Sequence, residues 1–107
     1  MECPYEMSSF WGSLVEPTKG CNVNVSSDTH FLLTNAAVQQ NGETQLSGRV
    51  VLLASVNGGP SFAIVSFIIG YFESTQLNLM FAPDDCVRFS IEGIPATICI
   101  CGYVNHL

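Results

Sequence analysis

Two short blocks, residues 50–54 and 62–69, are apolar at every position except Ser66. In a strand, successive side chains point to opposite faces, so a strand of this composition has two apolar faces to hide. A two-layer antiparallel fold covers only one of them from within the chain. Neither block approaches the roughly 20 residues needed to cross a bilayer as a helix, and Ser66 and Gly70 interrupt the more apolar one. The two blocks therefore predict strands whose outward faces meet another copy of the chain. Val51, Leu53, Ile64, Val65 and Phe67 are the residues expected at that contact. Only 11% of the 107 residues are charged, against about a quarter in an ordinary soluble protein. So few charges also predict a surface partly hidden in an oligomer.

The rest of the chain follows the same pattern. No stretch sustains a helical period, and Val, Ile, Phe and Thr gather in short runs separated by Gly, Pro, Asn and Ser. The expected strands are residues 10–15, 22–26, 30–38, 48–56, 61–69, 76–81, 86–91 and 97–104. Val87, Phe89 and Ile91 alternate with Arg88, Ser90 and Glu92, the pattern of a strand with one face in the core and one in water. Turn residues stand between the runs, most clearly Asn57-Gly58-Gly59-Pro60 and Pro83-Asp84-Asp85. The spacing predicts an all-β, eight-stranded antiparallel sandwich of the jelly-roll kind. Residues 8–107 read as one domain and residues 1–7 as a loose N-terminal extension.

Charge and cysteine usage narrow the function. Nine acids against Lys19, Arg49 and Arg88 give a net charge of −6, which leaves no basic cluster for gripping phosphates and argues against nucleic acid as a direct partner. No membrane-spanning segment and no signal peptide are expected. Five cysteines without a Cys-x-x-Cys pair predict free thiols in a reducing compartment. Asn24-Val25-Ser26 matches the glycosylation sequon but reads as a polar turn.

The search for chemistry yields no catalytic set. His30 and His106 have no nucleophile arrangement beside them, and Cys99, Cys101 and His106 supply three zinc ligands where a structural site needs four. Asn57-Gly58-Gly59-Pro60 lacks the Lys-Ser/Thr pair of a phosphate loop. Asp84 and Asp85 fit a solvated turn, with an acidic contact for a basic partner as the alternative. Trp11, the one tryptophan, is expected to pack in the core. No enzyme activity, metal or cofactor is expected.

The string Phe10-Trp11-Gly12, followed by Glu16-Pro17-Thr18-Lys19, resembles the opening of nucleoplasmin-like domains. The likeness is to those at the N-terminus of nuclear immunophilins and of plant nucleolar histone deacetylase-like proteins. His30-Phe31, Ala36-Ala37, the run 50–56, the run 77–81 and the closing Cys101-Gly102-Tyr103 continue the likeness in order, so that it covers residues 8–107. The resemblance implies a jelly roll assembling into a ring-shaped homopentamer, leaves a decamer open, and implies a nuclear or nucleolar chaperone for core histones. It also implies a longer protein, in which this core could instead be an oligomerisation scaffold for an appended prolyl isomerase or acidic tail, or part of a histone deacetylase-like protein. Five copies would carry about −30 in total. Asp84, Asp85 and Glu92, with Asp28 and Glu43 as secondary contributors, are the acids expected to meet a basic histone. The stretch Ser26-Ser27-Asp28-Thr29 holds one acid where vertebrate nucleoplasmins carry an acidic tract.

Overall fold

In the computed structural model, residues 8–39 and 47–106 are described. The run of short, β-branched and aromatic segments folds as eight strands: β1 Ser8–Val15, β2 Cys21–Asn24, β3 Thr29–Gln39, β4 Arg49–Val56, β5 Phe62–Ile68, β6 Ser74–Phe81, β7 Cys86–Gly93 and β8 Thr97–His106. They form two four-stranded antiparallel sheets, ordered β1-β8-β3-β6 and β2-β7-β4-β5. The all-β, eight-stranded architecture matches the pattern of alternation and turns. The expected loose segment 1–7 lies outside the described residues.

Alternation fixes what each sheet turns inward. Phe31, Leu33, Ala36, Val38, Ile98 and Ile100 from the first sheet meet Val50, Leu52, Phe67, Val87 and Phe89 from the second, all nearly or fully buried. An aromatic file bridges the layers: Trp11 stands edge-on to Phe31 at 4.8 Å, Phe31 stacks on Phe81 at 5.9 Å, and Phe81 meets Phe89 edge-on at 6.0 Å. Edge-to-face and offset contacts of this kind add to the area they bury.

Turn chemistry sets the hairpins. Asn57 and Gly58 both adopt positive φ, 53° and 74°, and the Gly59 N–H donates to the Val56 carbonyl at 3.0 Å. This is a left-handed turn with Asn57 and Gly58 at its centre, opening the connection from β4 to β5, and its positive φ angles explain why Asn-Gly occupies the position. At Gly102 the constraint is space. A Cβ there would collide with the Leu32 carbonyl of the neighbouring strand, beside the bulge that inserts Thr34 into β3.

Phe67 corrects one expectation. The sequence places it at the subunit contact, but its side chain is 0% exposed in the chain's own core, with the partly exposed Phe72 stacked on it. The reason is a β-bulge. The pairing of β4 with β5 shifts between Leu52 and Leu53, opposite the extra residue Ile64. An inserted residue reverses which side chains face in, so both Ile64 and Val65 lean on the core, while Phe67 enters it opposite Val50. Val51 and Leu53 do face outward and are half-buried.

Candidate functional site

The first sheet has an unusual outer face. None of β1, β3, β6 or β8 contains an Asp, Glu, Lys or Arg. Because Trp11, Phe31, Phe81 and Gly102 point inward, their neighbours Phe10, Leu32, Met80 and Tyr103 point out. The pairing register places these four side by side. Phe10 lies opposite Tyr103, Tyr103 opposite Leu32, and Leu32 opposite Met80. The result is an apolar row across the full width of the sheet, with neighbours about 4.8 Å apart. Phe10 and Tyr103 make an edge-on contact at 6.0 Å, yet remain 69% and 44% exposed, and Met80 is 58% exposed. Leu14, Cys99 and Ala37 form a second such row farther along the sheet.

The second sheet is divided. Over β2 and β7 its outer face carries Asn22, Asn24, Arg88, Ser90 and Glu92, while over β4 and β5 it carries Val51, Leu53, Ala63 and Ile68 with Arg49, Ser55 and Ser66 around them. The molecule thus has a broad uncharged apolar face on one side of the sandwich and, on the other, a smaller apolar strip at Val51 and Leu53 bordered by polar residues. The expected contact residues Val51 and Leu53 lie on this outer face, whereas Ile64 and Val65 are half-buried against the core.

Charge is segregated along the strands. The registers put the β2–β3, β4–β5 and β6–β7 connections at one end of the sandwich. Asp28, Asp84 and Asp85 lie there, and Arg88, three residues along from Asp85, lines a surface pocket with Gly58 and Cys86 of the same end. At the other end Lys19 pairs with Glu16 at 3.4 Å. Arg88 donates to the Asn22 side-chain oxygen at 3.2 Å and to the Lys19 carbonyl at 3.3 Å.

The three connections are laced together. The Val25 N–H donates to the Asp85 carbonyl and the Asp84 N–H to the Val25 carbonyl, each at 2.9 Å. The Asp85 carboxylate accepts from the Ala82 N–H at 2.9 Å and from Asn57 Nδ2 at 3.1 Å. Asn57 Oδ1 accepts from the Cys86 N–H at 2.7 Å. Asp85 therefore serves the loops, leaving Asp84 and Asp28 as the exposed carboxylates of this end.

The acids expected to act together are split. Glu92 lies inside β7, opposite Val51, and seven residues of strand place it about 23 Å from Asp85. Glu43 lies outside the described residues. Cys21, Cys86, Cys99 and Cys101 are free thiols. Among the described residues no three His, Cys, Asp or Glu side chains converge on a metal-binding point. His106 pairs with Thr29 at the acidic end, whereas Cys99 and Cys101 sit on the outer face of β8.

The family model for the nucleoplasmin-like domain matches residues 10–105. The chain belongs to the nucleoplasmin-like family. No curated protein sequence matches it. Among solved structures, the nucleoplasmin-like N-terminal domain of Drosophila FKBP39 superposes with a TM-score of 0.69 at 17% identity, over 94% of this chain and 92% of that one. The Drosophila NLP core, a structure described as giving insight into pentamer formation and histone binding, superposes with a TM-score of 0.74 at 12% identity, over 89% of this chain and 96% of that one. The family explains the opening motif in structural terms. Phe10 starts the outer apolar row, Trp11 enters the core, and Gly102 and Tyr103 are the partners of Trp11 and Phe10 across the β1–β8 ladder.

Proposed function

We propose that this chain is a ring-forming histone-chaperone core, five copies of which present one acidic rim to basic histones in the nucleus. The observation that carries the reading is the uncharged outer face of the first sheet, crossed by the Phe10–Tyr103–Leu32–Met80 row. Contiguous exposed apolar surface of this kind belongs to an interface, and interface centres are depleted of charge. A second apolar patch at Val51 and Leu53 lies on the opposite side of the sandwich. Two unlike patches on opposite sides favour head-to-tail contact between copies, which closes into a ring when the rotation allows.

Cyclic symmetry sets the same end of every subunit on the same rim. Asp28, Asp84 and Asp85 then repeat to about fifteen negative charges, against five copies of Arg88 set back along β7. Such a rim draws a basic protein over distances up to the Debye length of about 8 Å at physiological salt. The related Drosophila NLP core, connected with both pentamer formation and histone binding, supports the same reading. The role is binding and assembly, without catalysis.

The test is a titration of the chain with core histones at rising ionic strength. Binding at low salt that weakens steadily as salt rises supports the acidic rim. A ring that forms but binds no histone at low salt would leave the chain as an oligomerisation scaffold.

A further inference from the structure

The acidic end also contains a cavity. It has a volume of about 140 Å³ and lies between the two sheets, walled by Trp11, Val23, Val25, Phe31 and Val104. The space is open to solvent on one side, and its volume is close to the roughly 150 Å³ that holds a benzene-sized group, so it suits one aliphatic or phenyl side chain. Asn24, Ser26 and Thr29 complete the lining, and two of these three polar residues are already committed. The Thr29 and Ser26 hydroxyls are bonded to each other at 2.7 Å, and Ser26 Oγ donates to the Asp28 carboxylate at 3.0 Å. A ligand there gains from apolar contact more than from new hydrogen bonds.

The acids are tied to the cavity wall itself. Asp28 bonds to the lining residue Ser26, and Asp84 and Asp85 exchange backbone hydrogen bonds with the lining residue Val25. Apolar space with the Asp28 carboxylate on its wall and Asp84 one backbone hydrogen bond away complements a basic peptide that carries an apolar side chain between lysines or arginines.

We infer that this cavity receives one aliphatic side chain of a basic peptide, whose flanking cations lie over Asp28 and Asp84. The inference rests on the histone-binding reading and adds a second source of affinity. Charge on the rim brings the partner in, and the cavity fixes its register. Dispersed charge alone steers an encounter without choosing a pose.

Trp11 makes the test direct, because it is the only tryptophan in the chain and forms part of the wall. Two short lysine-rich peptides, one with a central leucine and one with serine in its place, are titrated into the ring while tryptophan emission is followed. The leucine peptide is expected to bind about tenfold more tightly, the effect of burying one aliphatic side chain, and to shift the Trp11 emission. Val23→Phe, which fills the cavity, should abolish the difference between the peptides and leave the affinity for the serine peptide unchanged. Val104→Leu fills less of the space and should reduce the difference if Val23→Phe does not fold. Equal affinity for the two peptides overturns the inference while the acidic-rim reading stands. Trp11 emission that changes on dissociation of the ring and not with peptide also overturns it, and assigns the cavity to a neighbouring copy. Binding of neither peptide at low salt defeats both readings.

Discussion

Asn57 and Asp85, 28 residues apart in sequence, hold each other across the acidic end of the sandwich: Asn57 Nδ2 donates to the Asp85 carboxylate at 3.1 Å, and Asn57 Oδ1 accepts from the next backbone N–H, that of Cys86, at 2.7 Å. Asp85 also accepts from the Ala82 N–H. One side-chain pair thus joins the β4–β5 turn to the β6–β7 turn. It divides the two adjacent aspartates by role, Asp85 as a clamp and Asp84 as an exposed charge.

That division predicts opposite outcomes for neighbouring substitutions. Asp85→Ala removes two hydrogen bonds to an ionised acceptor and should cost about 1–3 kcal/mol. Each kcal/mol lowers the midpoint of thermal unfolding by about 4–8 °C in a domain of this size. Asp84 sits at a positive φ of 69°, a conformation that Asn adopts readily, so Asp84→Asn should change stability by no more than about 0.5 kcal/mol. Paired melting curves check this, and equal losses would show that Asp85 is not the clamp.

Phe67 and Met80 separate core from contact. Phe67→Ala empties a fully buried site and should cost about 3–5 kcal/mol, unfolding much of the protein. Met80→Asp alters a side chain that is 58% exposed in the single subunit, so the fold should survive while the assembly falls apart. Circular dichroism together with sedimentation distinguishes the two. A Met80→Asp protein that keeps its assembled size would remove the outer row from the subunit contact.

Much of this was legible in the sequence, and the parts that were not share a cause. Asn57-Gly58 announces its turn because the geometry is demanded by two adjacent residues. The alternation of Val87, Phe89 and Ile91 against Arg88, Ser90 and Glu92 is equally local, and the structure follows it. Phe67 was misplaced because the bulge at Ile64 is set by pairing with β4, and a single inserted residue exchanges the faces beyond it. The role of Asp85 depends on Asn57 in a distant turn. Phe10 and Tyr103 were recognised as part of a motif, but their alignment with Leu32 and Met80 depends on the order β1-β8-β3-β6, which no local pattern encodes.

Acid position, more than acid number, should govern binding to histones. Asp28→Asn with Asp84→Asn removes charge from the rim and should weaken binding by up to about 1 kcal/mol per site, with a shallower dependence on salt. Glu92→Gln removes the same charge from the outer face of β7, about 23 Å from Asp85, and should have a smaller effect. Affinities measured across a salt series decide the point. Equal losses from both changes would mean that net charge alone draws the partner.

The mass of the native particle tests the central claim most directly. Native mass spectrometry at micromolar concentration should find a particle of about 58 kDa, five times the 11.6 kDa chain, held together by the uncharged face of the first sheet. A stable 11.6 kDa monomer under the same conditions would contradict the account, because the Phe10–Tyr103–Leu32–Met80 row would then face water with nothing to cover it.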